Sequence, residues 1–77
     1  MSIQHWRMEL NAFVQKHRVS HLLVYRDAVQ TGPPQRPTWT VSVVYNGHEY
    51  GKGSALSIGE AKELAAEQCL RRLCGGA

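Results

Sequence analysis

Two spacings of apolar residues divide this chain, and each predicts a different kind of element. Ile3, Trp6, Leu10, Phe13 and Val14 recur at the spacing of an amphipathic helix. Ser2 is placed to cap that helix, and the pattern ends near His17. From His21 to about Val29 the run HLLVYRDAV is rich in β-formers and predicts a strand. QTGPPQRP follows, where a glycine and three prolines exclude a regular element and predict a stiff loop. Trp39, Val41, Val43 and Tyr45 then alternate with Thr40, Ser42 and Val44, so Thr38 to Tyr45 is a strand with one face for the core. Asn46-Gly47 is a two-residue hairpin signal leading into HEYGK, a short strand that fades into a flexible run, GKGSAL.

The stretch from Ser57 to Leu73 returns to helical spacing. Ser57 and Glu60 form a capping-box pattern, in which hydroxyl and carboxylate are expected to satisfy orphan amides. Ala61, Ala65 and Cys69 fall on one stripe, with Ala66, Leu70 and Leu73 beside them. Small residues at that spacing let a helix lie close to a sheet, with Lys62, Glu63, Glu67 and Arg71 left to water. Gly75-Gly76 ends it. The helix start is also an anion site in waiting, since free amides and the macrodipole point outward there.

The element order is helix, strand, stiff loop, strand, hairpin, strand, helix. That order predicts an α+β domain, α-β-β-β-α, with a three-stranded antiparallel sheet and both helices packed on one face. At 77 residues the chain has room for one small domain, 1–77, with a core of about 3–74. An apolar fraction of 43% and a charged fraction of 19% describe a folded chain. The net charge of +3 is compatible with a polyanionic partner and is weak evidence by itself.

No apolar run is long enough to span a bilayer and no secretory signal opens the sequence, so a membrane role is not expected and an intracellular one is. Cys69 and Cys74 lie five apart on one helix, beyond disulfide reach, and both read as packing residues. No metal-ligand spacing and no cofactor motif is present. His5, His17, His21 and His48 stand apart, with no nucleophile or paired carboxylate beside them, so no catalytic residue is assigned.

Order and residues together resemble the double-stranded RNA-binding domain over almost the whole chain, from about Trp6 to Leu73. The carriers are Leu10-Asn11 with Gln15 and Lys16, then Tyr25, Gly32-Pro33-Pro34 and Trp39-Thr40-Val41. Asn46-Gly47, Ser57, Glu60-Ala61-Lys62 and Ala65-Ala66 complete the set. The resemblance implies recognition of A-form shape across two successive minor grooves and the phosphates between them.

Three regions are implied as the RNA face. In the first helix Asn11 keeps an amide, while the following position, often glutamate in the family, is Ala12. In the loop, the family's Gly-Pro-x-His becomes Gly32, Pro33, Pro34 and Gln35, with Arg36 adding a cation. At the second helix, after Ser57, the family's Lys-Lys-x-Ala-Lys becomes Ile58-Gly59-Glu60-Ala61-Lys62, so only Lys62 survives. Losing two phosphate contacts lowers the salt slope of binding by about two units, at roughly 0.7 to 0.9 each. Just upstream, the family's Gly-x-Gly becomes Gly53-Ser54-Ala55, and Ala55 tolerates positive φ poorly, which predicts an altered approach to the helix.

Double-stranded RNA, bound weakly, is therefore the expected partner. The alternative within the same fold is a protein-contact or self-association module that has lost RNA binding. It would use the edge of the third strand, HEYGKGS, or the helix faces around Ile58.

Overall fold

The computed structural model describes residues 5–26 and 28–75. Ser2 and Ile3, expected to open the first helix, and Gly76, expected to close the last, lie outside the described residues. Helix α1 spans Trp6–Lys16. It ends in a Schellman arrangement: the Val19 amide donates to the Val14 carbonyl at 2.8 Å and the Arg18 amide to that of Gln15 at 3.1 Å. Arg18 accordingly stands at φ 59, a left-handed conformation usually left to glycine. Lys16 and Arg18 place positive charge at this helix end, where the dipole favours it, and the turn holds Arg18 in that uncommon conformation.

The strand expected over His21–Val29 is broken. Ser20–Leu22 is a single 3-10 turn, β1 covers Leu23–Tyr25 and β2 covers Val29–Thr31. Both segments run antiparallel to β3, Thr38–Tyr45, along the same edge. Tyr25 faces Val43 and Val29 faces Thr40, so the register advances by one residue between the segments, as at a β-bulge. Within the interruption the Arg26 amide still reaches the Ser42 carbonyl at 2.9 Å. The sheet therefore has three lanes, and the first is split in two.

The third lane was expected to be short. Instead β4 runs eight residues, His48–Ala55, and pairs with β3 along its length. Asn46 and Gly47 turn the hairpin with φ of 52 and 81, as a type I′ turn needs. Ala55 closes the strand opposite Trp39 and, as expected of an alanine, takes no positive φ. The run GKGSAL looked flexible because of its glycines, but Gly51 and Gly53 are buried beneath helix α2, Ile58–Gly75. A Cβ on Gly53 would stand 2.6 Å from the Ala65 amide nitrogen, and one on Gly51 would stand 2.9 Å from that of Cys69. These glycines let the strand and helix backbones touch.

Both helices lie on one sheet face. Leu10 and Val14 of α1, Val41 and Val43 of β3, and Ala61, Ala65, Ala66 and Cys69 of α2 form the buried core. Cys69 is the packing residue expected, but Cys74 is exposed, and both thiols are free. Burial pushes the Cys69 thiol up to about 11, against the opposing charge of Arg72. Among the described residues no helix is long and apolar enough to cross a membrane.

Candidate nucleic-acid interface

The register of β3 brings two of the three expected regions together. Thr31 pairs with Thr38 at the start of β3, and Trp39 pairs with Ala55 at the end of β4. The loop Gly32–Pro37 and the entry to α2 therefore share one end of the sheet. Two contacts tie α1 to α2. The Arg7 amide donates to Glu63 at 3.2 Å and the Arg7 guanidinium pairs with the same carboxylate. Arg71 lies over the Trp6 ring at 5.9 Å. Burial raises the Glu63 carboxyl, but the hydrogen bonds and charge of Arg7 more than reverse this and hold it below its ordinary value. This pairing fixes where the exposed side of α1 stands relative to the α2 start. Sequence reasoning missed it, because residues 56 apart carry no local signal.

Asn11 and Ala12 are both exposed on α1. The loop is rigid for a specific reason. The Arg36 amide donates to the Pro33 carbonyl at 3.0 Å, which closes a turn with Pro34 at the position that favours proline. Gly32 takes φ 91, and a Cβ there would crowd the Arg36 carbonyl at 3.1 Å. Pro33, Pro34, Gln35 and Arg36 are all exposed around that turn.

At the α2 start the cap differs from its expected form. The Ser57 hydroxyl accepts from the Glu60 amide at 3.2 Å and donates to the Glu60 carboxylate at 3.0 Å. The carboxylate thus binds the hydroxyl and not a backbone amide. It also brings a negative charge to the point where an anion would approach. Leu56 and Ile58 flank Ser57 and are 64% and 37% exposed. Nothing lies within 4 Å of a Cβ built on Gly59. Lys62 is half-buried.

Of nine lysines and arginines, only Arg36 and Lys62 are among the expected contact residues, while Lys16 and Arg18 stand at the end of α1. Arg7 and Arg71 are ion-paired, Arg71 and Arg72 lie over aromatic rings, and Arg26 and Lys52 are on the opposite side of the sheet. The charge of +3 is thus dispersed and not gathered into a stripe. Among the described residues no cluster of histidine, cysteine or acidic side chains could hold a metal.

One further polar group is unpartnered. The Tyr25 hydroxyl is buried on the helix side of the sheet without a hydrogen-bond partner among the described residues. Burial, with lesser contributions from Cys69 and Glu63 and against Arg7, pushes it up to about 12.

Comparison with known proteins matches residues 6–73 to the family described as the double-stranded RNA binding motif. Among solved structures, the chain is similar to one of Arabidopsis HYL1, described by its implications for miRNA processing. Identity is 25% over 91% of this chain and 97% of that one, with a TM-score of 0.75. It is also similar to the first such domain of HYL1, at 26% identity over 88% of this chain and 94% of that one, with a TM-score of 0.71.

Proposed function

The chain belongs to the double-stranded RNA binding motif family, and we propose that it is an RNA-binding module that reads A-form shape without base sequence and binds weakly. The observation that carries this reading is the closed Gly32–Pro37 turn at the same end of the sheet as the capped start of α2. Asn11 would meet 2′-hydroxyls of one minor groove. Gly32, Pro33 and Pro34 would hold Gln35 and Arg36 against the next. Ser57 fixes the helix start, and Lys62 contacts a phosphate between the grooves. Weakness follows because Ile58 and Gly59 carry no charge and Glu60 carries the wrong one.

The family is one of binding, and the reading assigns this chain no catalytic step. By analogy with HYL1, whose structure was described in terms of miRNA processing, the module would serve RNA processing or silencing. Two free thiols suit a reducing, intracellular setting.

Titration of a fluorescent RNA duplex of about 20 base pairs, longer than the roughly 16 such domains span, tests the reading. Saturable binding at low salt, in preference to duplex DNA, is expected. Its absence sinks the proposal.

A second reading, protein contact in place of RNA, draws on the exposed Leu56 and Ile58 at the helix start. Its edge-pairing form is opposed by Gln68 of α2, whose side-chain oxygen accepts from the Lys52 amide at 3.1 Å and so occupies an outward donor of β4. A strict monomer in sedimentation over a wide concentration range removes self-pairing.

A further inference from the structure

The sheet face away from the helices is not used by the RNA reading, and its chemistry is distinctive. Ser42 of β3 sits between two cations, Lys52 directly across on β4 and Arg26 on the other side, where the Arg26 amide meets the Ser42 carbonyl. One step along the sheet, Val29, Thr40 and Ser54 form the next row, with Thr40 and Ser54 hydroxyls 2.9 Å apart. Arg26, Val29, Thr31, Thr40, Ser42 and Lys52 line a shallow depression of about 340 Å³. Val29 and Val24 are more than half exposed beside it, at 57% and 52%. Among the described residues no carboxylate pairs with either cation, and Glu49 lies toward the hairpin opposite Val44.

We propose that this open sheet face is a second binding surface, and that it takes an extended acidic peptide segment carrying apolar side chains. The charge is complementary: a carboxylate placed over Ser42 would lie between two cations that pair with no carboxylate among the described residues. The exposed valines decide between peptide and nucleic acid. Duplex RNA presents no apolar group to cover Val24 and Val29, whereas an extended peptide places every second side chain on the sheet. The surface lies across the sheet from both helices, so a peptide there leaves Asn11, Gln35 and Lys62 free. The domain would then hold a protein partner and RNA on opposite sides.

The probe is a peptide of alternating aspartate and leucine, about twelve residues long and so able to cross the sheet. It is titrated into isotopically labelled protein, with a lysine-for-aspartate peptide as control. Amide resonances of Arg26, Val29, Ser42 and Lys52 are expected to shift with the acidic peptide alone. The double variant Arg26→Gln with Lys52→Gln, both on exposed positions, should weaken peptide binding at least about tenfold. Duplex-RNA affinity should stay within about threefold, since two distant charges act only through the general field. The proposal is overturned if the acidic peptide fails to bind or shifts the helix side. Unchanged peptide binding by the variant overturns it too, as does duplex RNA shifting the sheet face. Failure of RNA binding alone would sink the other reading and leave the peptide result to stand on its own.

Discussion

The body and the start of α2 belong to one helix and obey different constraints. In the body, Ala61, Ala65 and Cys69 are wholly buried, and the strand beneath has given up side chains at Gly51 and Gly53 to meet them. At the start, Leu56, Ile58, Gly59 and Glu60 are exposed, and Gly59 faces open space. Two glycines in contact with the helix are therefore indispensable, while a third within it is incidental. The contrast separates what makes this chain a member of its fold from the surface on which the proposed RNA contact draws. Close packing tolerates almost no variation, whereas a solvated first turn accepts any residue compatible with the cap.

The sharpest way to break that contrast is at Gly53. Gly53→Ala forces a Cβ against the backbone of Ala61 and Ala65, which no rotamer change relieves. A loss of about 3 kcal/mol or more is expected, enough to leave a small domain largely unfolded in a urea titration. Gly59→Ala is the matched control and should stabilise by up to about 1 kcal/mol, because alanine loses less backbone entropy than glycine on entering the first helical turn. Equal effects of the two would mean that the strand and helix are not in backbone contact.

Next in size is the restoration of charge at the start. Ile58→Lys with Gly59→Lys meets no steric obstacle, and duplex-RNA affinity at low salt should rise at least about tenfold. The salt slope should steepen by about two contacts, each roughly 0.7 to 0.9. A double variant that binds no better would take the helix start off the RNA face.

The smallest effect concerns the clasp between α1 and α2. Glu63 is held below its ordinary carboxyl value of 4.5, so its pairing with Arg7 stabilises the fold above that pH. The contribution fades as pH falls through the lowered folded value. For a partly exposed pair it is about 1 kcal/mol or less. Glu63→Gln should flatten the acid limb of urea midpoint against pH. An unchanged limb would show that the clasp contributes nothing to acid stability.

Much of the fold was legible locally. Alternation over Thr38–Tyr45 gave β3 to the residue, Asn46-Gly47 gave the hairpin, and Ser57 gave the helix start. Errors arose where a residue's role depends on something distant. Gly51 and Gly53 suggested flexibility because sequence does not show α2 lying across them, although the small-residue stripe Ala61, Ala65, Cys69 was a complementary signal. The first strand was read as continuous because a bulge depends on the register of β3, not on its own composition. The candidate interface was legible as residue types at family spacing, but its electrostatics were not. A count of nine cations does not reveal that Arg7 and Arg71 are engaged, or that Arg26 and Lys52 stand on the other side of the sheet.

By itself, then, the sequence determined the order of elements, the buried stripes and the loss of two lysines before Lys62. Each is a matter of residue identity within a few positions, where periodicity and capping act. Only the tertiary structure decided that β4 is long, that Glu60 binds its own cap, and that the charge is dispersed around the domain. Those outcomes depend on backbones and side chains that meet across the sheet, at separations over which local preference carries no information.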